Sequence, residues 1–165
     1  MNDKKTPYNS SSIKAVSPVE HILDNPSMYW GKDMPLSEDV VDAIVEQLRL
    51  MGCKDIVTFK DKEWYFVGAS NDWMAKGILS VGSLKLLIDK GCEFLEGGAL
   101  SLRCEPFVKI FSKDLLVWRG AQLNVMKGHC DDRIRIAKLL ENRFGPGVAI
   151  GFRGNSYATH DRSRK

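Results

Sequence analysis

The side chains with the most evident chemical potential are the metal-ligand types in the run His129-Cys130-Asp131-Asp132. Imidazole, thiolate and carboxylate groups all bind transition metals. Structural zinc sites, however, draw on closely spaced ligand pairs, and none of the four cysteines belongs to a Cys-x-x-Cys pair. We therefore interpret the run as a polar loop that leads into a helix capped by Asp131 or Asp132, and we expect no metal and no disulfide.

Composition and the remaining reactive side chains indicate a soluble protein without a nucleophilic triad. The three histidines, His21, His129 and His160, lie beside no Gly-x-Ser-x-Gly or catalytic-cysteine signature. The 165 residues are 44% hydrophobic and 27% charged, as in an ordinary single globular domain. The net charge of +3 is too small to indicate nucleic acid, and no apolar run is long enough to cross a membrane.

The elements that must position any site are clearest in the first half of the chain. Ser17-Pro18 predicts the start of a short helix that ends before Pro26, followed by a loop over residues 27–35. A longer helix is predicted over residues 37–51, and a hairpin over residues 55–67. Apolar residues recur along this longer helix at helical spacing, at Val40, Val41, Ile44, Val45, Leu48 and Met51.

The second half predicts further strands and one more strong helix. A helix within residues 78–88 is followed by strands at 100–104, 108–111, 115–118 and 148–152. The two strands around residues 112–114 are expected to form a hairpin, and the helix after Asp132 is expected to end at Gly145. Together these elements predict an α+β two-layer sandwich, in which helices cover one face of a mixed, mostly antiparallel sheet.

Three segments of the first half resemble the opening of the N-terminal ATPase domain of DNA gyrase, of other type II topoisomerases and of related GHKL ATPases. Asn25-Pro-Ser-Met-Tyr-Trp-Gly31 is similar to the family's Arg-Pro-Gly-Met-Tyr-Ile-Gly. Asp39-Val-Val-Asp-Ala-Ile-Val-Glu-Gln47 and Cys53-Lys-Asp-Ile-Val57 resemble the next helix and strand at the same separation. Weaker similarity extends through residue 152. The resemblance implies a reduced GHKL-like domain over residues 15–152. Composition predicts a flexible polar arm (1–14) before this domain and a basic flexible tail (153–165) after it.

The resemblance also identifies where the family's hydrolytic groups should stand. The family's helix carries a Glu that activates the attacking water, and one turn later an Asn that binds magnesium. In the register fixed by Cys53, these positions hold Asp39 and Ala43. A shift of one residue would instead offer Glu38 as the base and Asp42 for magnesium. An alanine methyl group cannot coordinate a metal, so the first register implies a lost magnesium site.

The nucleotide-binding positions are degraded in the same way. The family's second strand ends in Asp-x-Gly-x-Gly, whose Asp accepts a hydrogen bond from adenine. Here Ala69 stands at the Asp position, while Asn71 and Trp73 stand at the glycines. Gly97-Gly98 is too short to be the family's phosphate-binding lid. The resemblance therefore implies a non-catalytic pseudo-ATPase, with no bound ATP or other cofactor.

The polar N-terminus and the lack of a long apolar run predict a cytoplasmic protein. The pseudo-ATPase interpretation predicts that it acts by binding, as a regulator or partner of a gyrase-like enzyme or through self-association. The aromatic segment Met28-Tyr29-Trp30 is the candidate interface, because the family's first helix takes part in dimer contacts. The alternative is that these side chains pack on their own domain. Two other functions stay open. One is a residual nucleotide-binding enzyme with Glu38 or Asp39 as base. The other is a nucleic-acid-binding module that uses the basic tail with Arg133, Arg135 and Lys138.

Overall fold

The structure, a computed structural model, describes residues 17–91, 93–96 and 99–159. The helices in this part of the chain are α1 (Pro18–Asp24), α2 (Pro26–Trp30), α3 (Ser37–Leu50), α4 (Ala75–Val81), α5 (Leu84–Lys90), α6 (Glu105–Phe111), α7 (Arg133–Phe144) and α8 (Ser156–Thr159). The strands are β1 (Val57–Asp61), β2 (Trp64–Ala69), β3 (Glu93–Glu96), β4 (Ala99–Leu102), β5 (Asp114–Arg119), β6 (Gln122–Lys127) and β7 (Val148–Arg153). Across the described ranges, no helix is both long and apolar enough to cross a membrane.

The main sheet has five strands in the order β1-β2-β7-β5-β6, and every neighbouring pair is antiparallel. The hairpin of β5 and β6 turns at Gly120 and Ala121, whose φ angles of 56° and 62° are both positive. This backbone is that of a two-residue type I′ turn, which matches the right-handed twist of the flanking strands. Strands β3 and β4 form a separate antiparallel pair.

Helix α3 covers one face of the sheet, as its spacing predicts. Its buried apolar residues Val40, Ile44 and Leu48 lie at i, i+4 and i+8, and they share a core with Val67 of β2 and Ile150 of β7. Burial of a side chain of this size contributes about 1.5–3 kcal/mol relative to exposure. Since the three residues form one stripe, α3 is fixed in rotation against the sheet, and this fixes where its polar residues point.

The opposite face of the sheet carries a second core, built against α7. Alternate strand residues such as Phe66 and Trp118 point to this face, where they share a core with Ile136, Leu140 and Phe144 of α7. A β-carbon at Gly151 would lie 2.4 Å from the ring of Phe66, so the absence of a side chain there makes room for that ring. The predicted α+β class with helices packed on a largely antiparallel sheet is confirmed. The helices, however, cover both faces rather than the single face that the sequence pattern predicts.

Several element boundaries differ from the sequence-based predictions. The loop expected over residues 27–35 contains α2, because Pro26 starts a short helical turn. Residues 108–111, expected to be a strand, belong to α6, where Pro106 stands in the first turn and Val108 and Phe111 are buried one turn apart. The expected hairpin around residues 112–114 is therefore wrong. The hairpin partner of β5 is β6, which the sequence-based prediction does not include.

The packed domain also continues beyond residue 152, where the sequence predicts that a basic tail begins. Tyr157 is 2% exposed and joins the core beside α3 and the sheet. Its hydroxyl accepts a hydrogen bond of 3.0 Å from the indole N–H of Trp30, and the amide of Asn155 donates to the carbonyl of Pro35. Residues 153–157 thus tie the end of the domain to its beginning. The expected polar arm (1–14) and the last six residues of the tail lie outside the described residues.

Candidate functional site

The candidate site, as the resemblance locates it, lies where α3 meets the end of β2 and the loop that follows it. The first core joins Val40 and Ile44 of α3 to Ala69 and Trp73, so the two segments that the resemblance identifies share one region of the fold. Ala43 is half-buried and Ala69 is fully buried. Any chemistry at this place therefore depends on the polar side chains around it.

Asp39 is the candidate base in the register fixed by Cys53. Its carboxylate is engaged in contacts at the start of α3. Its Oδ2 accepts a hydrogen bond of 2.7 Å from the backbone N–H of Leu36, and its Oδ1 lies 2.6 Å from Nζ of Lys32. The hydrogen bond from Lys32, followed by the one from Leu36, holds the pKa of Asp39 below its ordinary value. A carboxylate stabilised in its charged form is a poor proton acceptor at neutral pH.

The alternative pair, Glu38 and Asp42, lies on the solvent side of α3. Both residues are exposed, whereas the buried stripe runs through Val40, Ile44 and Leu48. Oε1 of Glu38 accepts a hydrogen bond of 3.1 Å from the hydroxyl of Tyr65. The shifted register therefore places its two carboxylates away from the core that Ala69 and Trp73 share.

Replacement of Asp39 by alanine should cost about 1 kcal/mol of stability at pH 7, the usual value of a helix-capping side chain. Because the folded-state pKa is depressed, this contribution is fully present above the unfolded pKa of about 4 and is lost as pH falls through the folded value. Urea denaturation of the parent and of Asp39→Ala from pH 7 to pH 2 measures the difference. Asp42→Ala, one turn further on and exposed, is the control. An equal cost for both variants, or a pH-independent cost for Asp39→Ala, would contradict the capping role.

Trp73 occupies the space beside the end of β2. It is 4% exposed, and its indole N–H donates a hydrogen bond of 3.0 Å to the carbonyl of Val148. Asn71 is exposed on the same loop. Asp72, the carboxylate nearest in sequence to the family's adenine-binding position, pairs with the guanidinium of Arg119 at 2.7 Å. The loop therefore provides an exposed asparagine and a core tryptophan at the positions where the family has glycines, and the carboxylate between them is paired.

A buried polar cluster beneath Trp73 was not among the sequence-based candidates. Arg103 lies over the Trp73 ring, with its guanidinium carbon 5.7 Å from the ring centroid. Its Nε and a terminal nitrogen donate to Oε1 of Glu105 at 2.8 and 2.5 Å. The two side chains are 1% and 0% exposed. Oε1 of Gln47 on α3 accepts the backbone N–H of Cys104 at 2.6 Å, so the cluster connects α3 to the start of α6.

The cluster has two polar atoms without a hydrogen-bond partner among the described residues, Oε2 of Glu105 and Nε2 of Gln47. Burial raises the pKa of the Cys104 thiol well above its ordinary value, which keeps that thiol protonated and weakly nucleophilic. The buried charge of Arg103 is neutralised by Glu105. The arrangement stabilises a junction between helices, and these side chains offer neither an ionised nucleophile nor an accessible base.

The candidate interface residues divide between the core and the surface. Trp30 is half-buried, packs against Phe111 and donates to Tyr157, as the alternative interpretation predicts. Tyr29 is 39% exposed, and its ring lies 5.4 Å from that of Phe107. Met28 is 71% exposed. Of the three side chains, only Met28 is mainly in solvent.

Of the three basic residues of α7 proposed for nucleic-acid contact, two are engaged within the domain. A terminal nitrogen of Arg133 donates to the carbonyl of Leu123 at 2.8 Å. Arg135 pairs with Asp61 at 2.8 Å and with Asp132 at 3.2 Å. Lys138 is exposed on α7. Phosphate binding requires cationic side chains that can contact the ligand. The intramolecular ion pairs of Arg135 therefore disfavour a nucleic-acid-binding surface here.

The potential metal ligands at residues 129–132 contact different parts of the domain. The backbone N–H of His129 donates to Asp114 at 2.8 Å, and Asp131 and Asp132 pair with Arg153 and Lys62. Within the described part of the chain, no group of three or more His, Cys, Asp and Glu side chains is placed to hold a metal ion. Asp132 is the residue that precedes α7, although its side chain makes no capping hydrogen bond.

Comparison of the chain with protein-family models, with curated proteins and with solved structures gave no significant match.

Proposed function

We propose that this chain is a catalytically inactive, GHKL-like pseudo-ATPase domain that acts by binding another protein. The observation that carries the proposal is Trp73, whose buried indole lies in the core where the family's motif would place a glycine beside the nucleotide. A side chain of this size cannot share its volume with a purine at protein packing density. In this proposal, the domain keeps the helices and strands of the family, and the Trp73 side chain fills the volume that the ligand would occupy.

The surrounding side chains support the same proposal. Ala43 and Ala69 bring methyl groups to the positions of a magnesium ligand and an adenine acceptor. Asp39 serves as a helix cap with a depressed pKa, Glu38 and Asp42 are exposed, and Glu38 accepts a hydrogen bond from the Tyr65 hydroxyl. Hydrolysis of a nucleotide needs a positioned water, a base and a metal that bridges the phosphates. The exposed carboxylates of Glu38 and Asp42 lie outside the buried space that Ala69 and Trp73 share, and the Asp39 carboxylate is engaged with Leu36 and Lys32.

Binding to a protein partner is then the activity left to such a domain, and a gyrase-like enzyme in the cytoplasm is the partner that the resemblance suggests. Met28 is the most exposed of the candidate interface residues, and the partly exposed ring of Tyr29 lies beside it in sequence. Met side chains adapt to varied apolar surfaces, and aromatic residues are common in interface cores. We propose that this α2 surface makes the contact.

The nucleotide part of the proposal predicts that the melting temperature will not change with ATP and magnesium. A site filled to 100 times its Kd would stabilise the fold by about 2.7 kcal/mol, which is a shift of several degrees for a domain of this size. Differential scanning fluorimetry with millimolar ATP and MgCl₂ measures the effect, with an active gyrase ATPase domain as the positive control. A saturable rise in Tm for this chain would overturn the inactive-site assignment.

The proposed contact between the α2 surface and a gyrase-like enzyme is tested separately. Sedimentation of the chain with the purified ATPase component of a gyrase-like enzyme should reveal a complex that Met28→Asp weakens at least tenfold. Leu79→Asp is the matched control, because Leu79 is 83% exposed on α4, away from α2 in sequence. Absence of a complex, or equal weakening by both variants, would reject the α2 surface as the contact site.

A further inference from the structure

A second feature of the molecule, unrelated to the nucleotide region, is a groove of about 410 Å³ beside α1, α6 and the beginning of α8. Its walls are mainly apolar, formed by Val19, Leu23, Pro106 and Ile110. Its polar lining consists of Lys127, Ser156, Asp89 and Lys109. The size lies within the range of small-molecule sites, which typically combine apolar walls with a few fixed polar groups.

Lys127 is held in place by the end of α6. Its Nζ donates hydrogen bonds to the backbone carbonyls of Lys109, at 2.8 Å, and of Ser112, at 2.5 Å. An ammonium group has three hydrogens, so these two contacts leave the third for another acceptor. The hydroxyl of Ser156 donates to the same carbonyl of Ser112 at 3.0 Å, which brings it close to the ammonium group. The cation is thus fixed at one position in the lining of the groove.

The charge of Lys127 is not neutralised by the described residues. Among them, no carboxylate oxygen lies within 4 Å of its Nζ, and the nearby Asp89 is paired with Lys109. Burial lowers the pKa of Lys127, and the positive charge of Lys109 lowers it further, against a smaller opposite effect of Asp114. A partly desolvated cation with one remaining donor is a natural site for a single anionic oxygen.

We propose that this groove binds a small aliphatic monocarboxylate, with its hydrocarbon chain against the α1 and α6 walls and its carboxylate on Nζ of Lys127. The apolar lining favours a hydrocarbon chain over a sugar or a nucleoside. A phosphate group would carry more charge and would need several donors, whereas the groove offers one ammonium that no described carboxylate pairs with, since Lys109 is paired with Asp89. The groove is separate from the α3–β2 region, so this proposal does not depend on the pseudo-ATPase proposal.

The test compares octanoate with octanamide, which has the same chain and no charge. Isothermal titration calorimetry at pH 7 should give saturable binding of octanoate to the full chain, and binding of octanamide at least tenfold weaker. Lys127→Gln should weaken octanoate binding at least tenfold. Lys138→Gln is the matched control, because it removes an exposed lysine of α7 outside this groove. Equal binding of the acid and the amide, or loss of binding in both variants, would overturn the proposal.

A second variant distinguishes a loss of octanoate binding from a change in folding. Lys127→Gln removes hydrogen bonds at the end of α6, so its circular dichroism spectrum and Tm should be measured beside the parent. Val19→Trp leaves Lys127 intact and adds volume at the rim of the groove, where Val19 is 47% exposed. It should also weaken octanoate binding at least tenfold. Undiminished binding in Val19→Trp would reject the groove as the octanoate site.

Discussion

Glu105→Ala should lower the free energy of unfolding by about 3–5 kcal/mol, the usual effect of removing one partner from a buried ion pair. The substitution leaves the guanidinium of Arg103 in the core without a counterion, and Arg103 is 2% exposed. Both guanidinium contacts of the pair end on the same oxygen of Glu105, so a single truncation removes them together. The indole of Trp73 can offer only the weaker attraction of its ring face.

Guanidinium chloride denaturation measures this loss, and two further variants assign its cause. Glu141→Ala removes an exposed carboxylate of α7 and should change stability by no more than about 0.5 kcal/mol. The double variant Arg103→Met, Glu105→Leu replaces the pair by apolar groups of similar volume and should recover most of the loss. A cost for Glu105→Ala as small as that for Glu141→Ala would show that water reaches the pair and that it is not a buried ion pair.

The pair at residues 103 and 105 also illustrates what the sequence could not provide. Leu102-Arg103-Cys104-Glu105-Pro106-Phe107 is an ordinary mixture of charged and apolar residues. Charged side chains are almost always at the surface unless they are paired, so local pattern gives no reason to bury these two. Their burial arises because α6 begins beside Gln47 of α3 and Gly77 of α4, and this is tertiary information. Only Glu105-Pro106, a common start of a helix, was a local signal, and it would have predicted α6.

The parts of the fold that were predicted correctly depend on short-range patterns. Helix α3 follows from the spacing of Val40, Ile44 and Leu48, and the β1–β2 hairpin follows from two strand-like runs around a tight turn. Strand β6 was missed because its residues are half polar and lie at the edge of the sheet, where one side is solvated. Edge strands carry a weaker apolar pattern than central strands, so the same reasoning fails there.

The sequence also contains a pattern that indicates packing on both faces of the sheet. Five of the six residues of β5 are buried, and so are five of the six residues of β2. A strand that buries both faces shows a continuous apolar run rather than alternation. Leu115-Leu-Val-Trp118 and Trp64-Tyr-Phe-Val67 are such runs, so they indicated a layer on each face. The second layer is α7, whose Ile136, Leu140 and Phe144 complete the core on that side.

Trp73→Ala should lower the free energy of unfolding by about 3–5 kcal/mol, as expected for truncation of a large buried aromatic side chain. The loss combines the removed apolar surface with a cavity between α3 and the sheet, and it also removes the hydrogen bond to the carbonyl of Val148. Trp73→Phe separates these contributions, because it keeps most of the ring and loses the N–H donor. It should cost less than the alanine variant, by at least about 1 kcal/mol.

The same variant tests the proposal that the space beside Trp73 is a closed nucleotide site. If Trp73 were the only obstacle, its removal would open a pocket, and ATP with magnesium would raise the Tm of Trp73→Ala. We expect no rise, because Ala43 and Ala69 still offer methyl groups and Asp39 stays engaged with Leu36 and Lys32. A cavity alone supplies neither a metal ligand nor an acceptor for adenine. A nucleotide-dependent rise confined to Trp73→Ala would show instead that one tryptophan closes an otherwise competent pocket.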